Sequence, residues 1–173
     1  MQTFDYMTFK GISFNSDIDA FAANMEKIGY TQVLAQECAA VFSGNFAGKD
    51  NCTIIVLATD KSKLVWKVMV NFPEQISWRS LKNEYESFKE LYTKKYGTPN
   101  NYEFFESPYE EGDGCELTAL ELEKCTYTSY FDTNQGMVVL GISSSKNIDV
   151  TYEDKTNVEI WKIEKEQSIL SEI

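Results

Sequence analysis

Apolar residues recur along this chain with two different periods, and the period separates predicted helices from predicted strands. In "NSDIDAFAANMEKIGY" the apolar positions are three or four residues apart, which is the spacing of one helical face. Ser16 is suited to the N-cap, and Gly29 is placed as the glycine that follows a helix end. A helix is therefore predicted between them. Its apolar face consists of Ile18, Phe21, Met25 and Ile28.

A longer helix is predicted in "SWRSLKNEYESFKELYTKKYGTP". Lys94 and Lys95 lie near its end, where positive charge suits the helix dipole. Gly97 and Pro99 end it. The predicted buried stripe consists of Trp78, Leu81, Tyr85, Phe88, Leu91 and Tyr92.

The C-terminal segment predicts a further helix, from Asn157 to about Leu170. Thr156 and Glu159 fit a capping box at its start. Its apolar residues are spread widely around the helix, so no single buried face is predicted.

The remaining segments alternate with a period of two, as strands do. Residues 33–46 are predicted to form one strand, and "CTIIVLAT", apolar on both faces, a central strand. Further strands are predicted in "TFKGISF", in "LVWKVMVNF", at 102–106, in the hairpin "CTYTSYFDTNQGMVVLGIS" and in "IDVTY". Residues 117–124 fit either a short helix or the start of the next strand.

Short turns such as "GKDN" and "TDKSK" join neighbouring strands, and this indicates antiparallel pairing. The amphipathic helices must bury one face, and a sheet provides the surface for it. The sequence thus predicts one α+β domain over residues 1–173. It is a mainly antiparallel sheet of about seven or eight strands, with two or three helices packed on it.

Composition narrows the function classes. The chain carries 16 basic and 27 acidic residues, a net charge of -11, with no basic run. Nucleic acid and anionic membranes are bound through Lys and Arg, so neither is an expected partner. The absence of histidine removes the Ser-His-Asp and Cys-His arrangements and the usual catalytic zinc sites. No cofactor is predicted.

The four cysteines are Cys38, Cys52, Cys115 and Cys125, and none has the CxxC spacing of a zinc ribbon or a thioredoxin-like motif. Two disulfides in an oxidising compartment and four thiols in the cytosol both fit this number. Of the pairings Cys115–Cys125 and Cys38–Cys52, the first is favoured, because its members are close in sequence and bracket an irregular segment.

The stretch "SGNFAGKDNC" raises the question of a phosphate-binding loop. A Walker A loop needs four residues between its glycines, but Gly44 and Gly48 are separated by three. Asp50 follows Lys49 where a hydroxyl is required, and the next element is a strand rather than a helix. We interpret the segment as two strands joined by a turn.

Carboxylates offer two further chemistries. The loop that holds Glu106, Glu110, Glu111, Asp113 and Glu116 has oxygen donors for calcium, but it lacks EF-hand spacing, so we expect a solvated loop and no metal site. Paired carboxylates could catalyse glycoside hydrolysis. The pairs Asp17 with Asp19 and Glu153 with Asp154, each close in sequence, are better explained by turn and cap chemistry.

An aromatic cluster precedes the acidic loop. It comprises Tyr102, Phe104, Phe105 and Tyr109. Because Phe104 and Phe105 are adjacent, they face opposite sides of a strand, and one of them is expected to be exposed or covered by another element. These four side chains are the predicted contact surface, with lining of the core as the alternative.

At "TFKGISF", "SGNFAG", "FPEQISW" and "KKYGTP" the chain resembles a family of small uncharacterised proteins from gut Bacteroides-type bacteria. The matching residues are Lys10–Ile12, Gly44–Gly48 and Lys95–Pro99, and the resemblance covers most of the first 100 residues. It implies export, with a leader removed before Gln2, and would make the cysteines candidates for disulfides. It implies no activity.

Two classes of function remain. A non-enzymatic binding or interaction module, with a protein or small-molecule partner, fits the absence of histidine and of cofactor motifs. A hydrolase that uses paired carboxylates is the alternative, and the module is favoured. The chain has no membrane-spanning stretch and, as it stands, no leader, so a cytoplasmic location is predicted, with export as the alternative.

Overall fold

The computed structural model describes residues 5–173, and within that range it contains ten strands and four helices. The leader cleavage expected near Gln2 falls outside the described residues. In chain order the elements are β1 (Thr8–Phe9), β2 (Ile12–Ser13), α1 (Ile18–Lys27), β3 (Thr31–Ala35), β4 (Ala39–Phe46), β5 (Lys49–Ala58), β6 (Val65–Asn71), α2 (Trp78–Tyr96), β7 (Asn100–Phe105), α3 (Glu116–Glu121), β8 (Cys125–Asp132), β9 (Gly136–Ile142), β10 (Ile148–Asp154) and α4 (Lys155–Glu172).

Eight strands form one antiparallel sheet in the order β3-β4-β5-β6-β10-β9-β8-β7, while β1 and β2 form a separate two-stranded sheet. The predicted α+β fold with a mainly antiparallel sheet is confirmed. The fourth helix, beyond the two or three predicted, is the short α3, in the segment where a helix and a strand had both fitted. Strands β3 and β7 are the two edges of the large sheet.

The chain divides into two compact units. The first comprises the described residues up to Val70 together with Thr133–Met137 and Thr151–Ile173. The second comprises Asn71–Asp132 and Val138–Val150. The single domain over residues 1–173 stays a prediction.

In the first unit, α1 forms where its apolar spacing predicted it. Its N-cap is Asp17 rather than Ser16, because the Asp17 carboxylate accepts a hydrogen bond of 2.9 Å from the Ala20 N–H. A charged acceptor also suits the positive end of the helix dipole. Ile28 lies just past the helix end and is exposed, so it does not join the buried face. That face is Ile18, Phe21 and Met25.

The start of α4 is fixed by two buried polar side chains of the same unit. Asp154 caps the helix, accepting hydrogen bonds from the N–H groups of Asn157 (2.9 Å) and Met7 (2.8 Å). This replaces the predicted capping box at Thr156 and Glu159. Burial raises the pKa of Asp154. The Asn157 amide donates to the carbonyl oxygens of Phe14 and Val65, both at 2.9 Å, and so ties the helix to both segments.

The segment predicted as one strand at 33–46 is two strands, β3 and β4, which pair antiparallel. The turn between them is "QEC", where the Gln36 N–H donates to the Ala39 carbonyl at 2.8 Å. The prediction was wrong because this turn contains no glycine, proline or asparagine to mark it.

The possible phosphate loop is a hairpin turn, as predicted. Phe46 pairs with Lys49, and the two residues between them, Ala47 and Gly48, have φ angles of 50° and 79°. Two central residues with positive φ are the mark of a type I′ turn, which matches the twist of the flanking strands.

In the second unit, α2 buries an aromatic face. Trp78, Leu81, Tyr85, Phe88 and Tyr92 are buried as predicted. Leu91 is 57% exposed, so the buried stripe is narrower than the sequence suggested. A narrow stripe is enough here because the rings of α2 are large; for example, the Tyr92 and Phe131 centroids lie 5.9 Å apart.

We predict that Gly44→Ala destabilises the protein by about 1–3 kcal/mol, because the added Cβ would overpack the site. That Cβ would lie 2.5 Å from the Tyr30 ring, whose hydroxyl donates to the Asn45 carbonyl at 2.7 Å. Urea unfolding measures the change, with Ser43→Ala as the neighbouring control. In a Tyr30→Ala background the same glycine substitution should cost much less; an equal cost would contradict the steric explanation.

Candidate functional site

Strand β7 presents two large rings on one side of the sheet edge. Tyr102 is 53% exposed and Phe104 is 48% exposed. Tyr130 of the neighbouring strand β8 is 37% exposed, and its ring meets Tyr102 edge-on with centroids 5.6 Å apart. We call Tyr102, Phe104 and Tyr130 the aromatic face.

The other two predicted contact residues lie elsewhere. Phe105 is half-buried on the opposite side of β7, edge-on to Trp78 at 5.4 Å and to Tyr127 at 6.1 Å. Tyr109 is half-buried in the loop after β7 and, within residues 5–173, makes no ring contact with the other three. The structure thus brings Tyr102 and Phe104 together and separates them from Phe105. As a contact surface, the four residues stay a prediction.

A buried hydrogen-bond chain holds α2 against β8 and β7. Ser129 donates its hydroxyl proton to the Asn101 side-chain oxygen at 2.8 Å, so the Tyr85 hydroxyl, 2.6 Å from Ser129, donates to Ser129. Burial raises the pKa of Tyr85 to about 12, which keeps its proton on this bond. The chain joins the helix, the inner strand and the edge strand.

An ion-pair cluster reinforces the same contact. The Lys89 ammonium lies 2.7 Å from Glu103 of β7 and 3.1 Å from Glu86, one turn earlier on α2. Burial by itself would lower the pKa of Lys89, but the hydrogen bonds to Glu103 and Glu86 outweigh it and raise the pKa. Lys89 is therefore a fixed positive charge beside the edge strand.

An open groove of about 580 Å³ lies beside β7. Charged side chains of α2 line one part of it, and Pro99 and Asn101 line the part next to the strand. The charged residues are Glu86, Lys89, Glu90 and Lys94. The groove offers space next to the sheet edge, with charges of both signs.

The outer side of β7 carries backbone groups that no strand of the described chain pairs with. The Glu106 N–H donates to the Lys124 carbonyl of the β8 side at 2.7 Å. Bonding direction alternates along an antiparallel strand, and Phe104 pairs with Thr126 in the same register. The N–H and C=O groups of Asn101, Glu103 and Phe105 therefore point to the open edge.

In the acidic loop after β7, side-chain carboxylates accept hydrogen bonds from backbone N–H groups of the same loop. Asp113 accepts hydrogen bonds from the N–H groups of Glu110 (2.9 Å) and Cys115 (2.7 Å). Glu116 accepts one from Gly112 at 2.9 Å. Within residues 5–173, no group of three or more cysteine and carboxylate side chains is arranged to hold a metal ion.

The carboxylates of the pairs considered from the sequence make separate contacts, and Asp17, like Asp154, is a helix N-cap. Glu153 pairs with Lys67 at 3.4 Å, while the adjacent Asp154 caps α4. The buried Glu164 accepts hydrogen bonds from the Ser62 N–H at 2.8 Å and its hydroxyl at 3.1 Å. Asp154 and Glu164 lie roughly 15 Å apart along α4, since a helix rises about 1.5 Å per residue. The hydrolase alternative stays a hypothesis without a specific observation in its favour.

Cys38, Cys115 and Cys125 are free thiols in the structure, so neither pairing considered from the sequence is formed. Cys115 is exposed and Cys125 is buried. None of the helices within residues 5–173 is both long and apolar enough to cross a membrane.

Comparisons with known proteins find no match: no family model matches the chain, no curated protein matches it, and no solved structure matches its fold. The resemblance to the Bacteroides-type family stays a prediction. The function must therefore be argued from the geometry of the site alone.

We predict that Tyr85→Phe costs about 1–2 kcal/mol of unfolding free energy, because Ser129 loses a buried partner. Ser129→Ala should cost more, since it leaves the buried Tyr85 hydroxyl without its acceptor and also removes the hydrogen bond to Asn101. Urea unfolding of the single and double variants measures the coupling. Strictly additive effects would show that the three groups do not act as one chain.

We also predict that Cys115 and Cys125 react very differently with iodoacetamide. Burial raises the pKa of Cys125 to about 12, with Glu111 and Glu116 adding to the effect. At about pH 8 that leaves roughly one thiolate in ten thousand. A peptide mass map of the native protein should show label on Cys115 alone of the two, and label on both after denaturation. Equal native labelling would contradict the buried placement of Cys125.

Proposed function

We propose that this protein is a non-enzymatic interaction module that binds an extended peptide segment of a partner protein at the open edge of β7. The segment adds to the sheet as a further strand. The observation that carries the proposal is the unpaired row of backbone groups at Asn101, Glu103 and Phe105, flanked by a groove on one side and the aromatic face on the other.

Strand addition explains the surroundings of the edge. An added strand takes its affinity from backbone hydrogen bonds and its specificity from pockets for alternate side chains. Here, alternate side chains of the peptide would lie in the groove beside α2 and against the aromatic face. Edge strands are normally protected by charge, proline or bulges. Edge strand β3 has such a bulge between Gln32 and Leu34, whereas the β7 pairing is regular from Asn100 to Phe105.

The charge of the chain favours a basic peptide. The net charge is -11, and an exposed acidic loop begins where β7 ends. In the groove, Glu90 pairs with Lys94 at 3.1 Å, and both side chains are largely exposed. Exposed ion pairs contribute little to stability, so a lysine or arginine of the peptide can replace Lys94 as the partner of Glu90 at a small cost in free energy. Apolar or aromatic residues at the alternate positions would cover the aromatic face.

We expect a peptide of about eight residues that alternates lysine with valine or tyrosine to bind the full chain. In ¹⁵N spectra it should shift the amide signals of Asn101, Glu103 and Phe105 first. A peptide with glutamate in place of lysine is the charge control. Equal binding of both peptides, or shifts confined to other strands, would overturn the proposal.

A matched pair of variants tests the backbone contact directly. Both Glu103→Pro and Glu103→Ala remove the ion pair with Lys89. Only the proline variant also removes the backbone N–H that points to the open edge, and neither variant disturbs the hydrogen bonds to β8. The proline variant should bind about fivefold more weakly than the alanine variant, as expected for one lost hydrogen bond. Phe104→Glu should also weaken binding, whereas Leu91→Glu, exposed on α2, should not.

For the compartment, the free thiols in the structure support the cytoplasmic location, and export remains the alternative. The mass map of Cys115 and Cys125, made on protein purified from its native host without reductant, separates the two. If both cysteines are labelled after denaturation without reductant, the cytoplasm is supported; if they are bridged, export is supported.

A further inference from the structure

Donors from two packed elements converge on one carboxylate in the second unit. The Lys82 ammonium donates to one oxygen of Glu111, and the Tyr127 hydroxyl donates to the other at 3.1 Å. Lys82 lies one helical turn beyond Trp78 on α2, so the two side chains share a face of that helix. Tyr127 belongs to β8, and its ring lies edge-on to Trp78 at 5.0 Å.

The Trp78 indole is the third donor. Its residue is 9% exposed, and its N–H is the one buried side-chain group within residues 5–173 that completes no hydrogen bond. Indole N–H groups normally find a partner when buried. The Trp78 ring packs edge-on against Tyr127, whose hydroxyl donates to Glu111, and this places the indole beside the same carboxylate. The Lys82 ammonium, the Tyr127 hydroxyl and, last, the indole lower the pKa of Glu111. We call Trp78, Lys82 and Tyr127 the donor cradle.

The donors belong to regular elements, whereas the acceptor belongs to a loop. All three belong to α2 or β8, but Glu111 belongs to the irregular loop between β7 and α3. The loop is folded on itself through Asp113 and Glu116. The Glu111 side chain is 43% exposed, so water reaches the carboxylate. The loop can therefore leave the cradle without breaking a strand or a helix.

We propose that the donor cradle is a carboxylate-binding site, which Glu111 of the chain's own loop occupies until the carboxylate of a ligand replaces it. The ammonium supplies the charge, and the hydroxyl and indole supply directed hydrogen bonds that favour a planar acceptor with two oxygens. The site uses none of the residues of the aromatic face. The carboxylate site therefore does not depend on strand addition at β7.

Self-occupancy makes the site selective. A tethered carboxylate competes at an effective concentration in the millimolar range, so a free small carboxylate cannot displace it easily. A ligand whose other parts also contact the protein can. The ligand class is therefore a molecule that carries a carboxylate on a larger body, such as a peptide with a free C-terminus or an acidic side chain.

Acetate is the probe, and the Trp78 indole signal in ¹⁵N spectra is the readout. The chain has three tryptophans, so three indole signals are expected. The signal that disappears in Trp78→Phe is that of the Trp78 indole. In Glu111→Ala, acetate should move this signal and saturate at a concentration on the order of 10 mM. Chloride at equal ionic strength should not move it.

The controls share the loop and the fold. Glu110→Ala removes a neighbouring exposed glutamate and leaves Glu111 in place, so it should resemble the unmodified protein and respond to acetate at least fivefold more weakly. Adding Lys82→Met to Glu111→Ala should abolish the response. If Glu111→Ala does not fold, Glu111→Gln carries the test, because its amide still accepts from Tyr127 while the attraction to Lys82 is lost.

The outcomes separate clearly. A response of Glu111→Ala no larger than with chloride overturns the site, and so does a response that survives Lys82→Met. An equal response of the unmodified protein overturns self-occupancy by Glu111. If acetate binds as expected, two short peptides are compared. One has a free C-terminus and no acidic side chain; the other has an amidated C-terminus and one glutamate. The peptide that binds more tightly identifies whether the ligand carboxylate is a C-terminus or a side chain.

Discussion

The hydrogen-bond chain from Tyr85 through Ser129 to Asn101 is the contact on which the second unit depends. It joins α2, β8 and β7 through two buried side chains, Tyr85 and Ser129, and the exposed Asn101 at the edge. In a low-dielectric interior such a chain is strong when complete and costly when any member is lost. Asn101, the last member of the chain, also lines the groove beside β7.

The two faces of β7 differ because α2 packs against only one of them. Side chains that point toward α2, such as Glu103 and Phe105, join the ion-pair cluster and the aromatic packing around Trp78. Side chains that point away, such as Tyr102 and Phe104, remain about half exposed, and Tyr102 contacts Tyr130 of β8. A strand with one anchored face and one open face, at the edge of a sheet, is rigid enough to present its backbone to a partner without rearrangement.

The acidic loop links the local electrostatics of this region. Its self-folded backbone uses Asp113 and Glu116, and this leaves Glu111 to face Lys82 and Tyr127. The negative charge of Glu111 in turn contributes, after burial, to the raised pKa values of Tyr127 and Cys125. Tyr127 therefore stays protonated, and remains a donor, at neutral pH.

Local features of the sequence predicted the elements well, because periodicity and turn chemistry act over a few residues. The α1 and α2 helices, the hairpin turn at Ala47 and Gly48, and the opposite orientation of Phe104 and Phe105 all follow from spacing alone. The errors have two kinds of cause. The turn at 36–38 was missed because it lacks the usual turn residues, whereas the start of α4 was misplaced because of a tertiary contact. Asp154, rather than Thr156, is the N-cap of α4. Its carboxylate also accepts a hydrogen bond from the N–H of Met7, which is distant in sequence.

The candidate sites could be found only in part this way, since Tyr102 and Phe104 were predicted but their partners were not. Tyr130 lies at an exposed alternate position of the predicted hairpin, but only the register of β7 on β8 brings it to Tyr102. Likewise, nothing in the sequence singles out Glu111 among five acids of one loop, since Trp78, Lys82 and Tyr127 meet only when α2 packs on β8. The sequence by itself determined the secondary structure, the acidity and the absence of histidine-based chemistry. Which edge is open and which carboxylate is held were decided by packing, because contacts between distant segments carry no short-range signal.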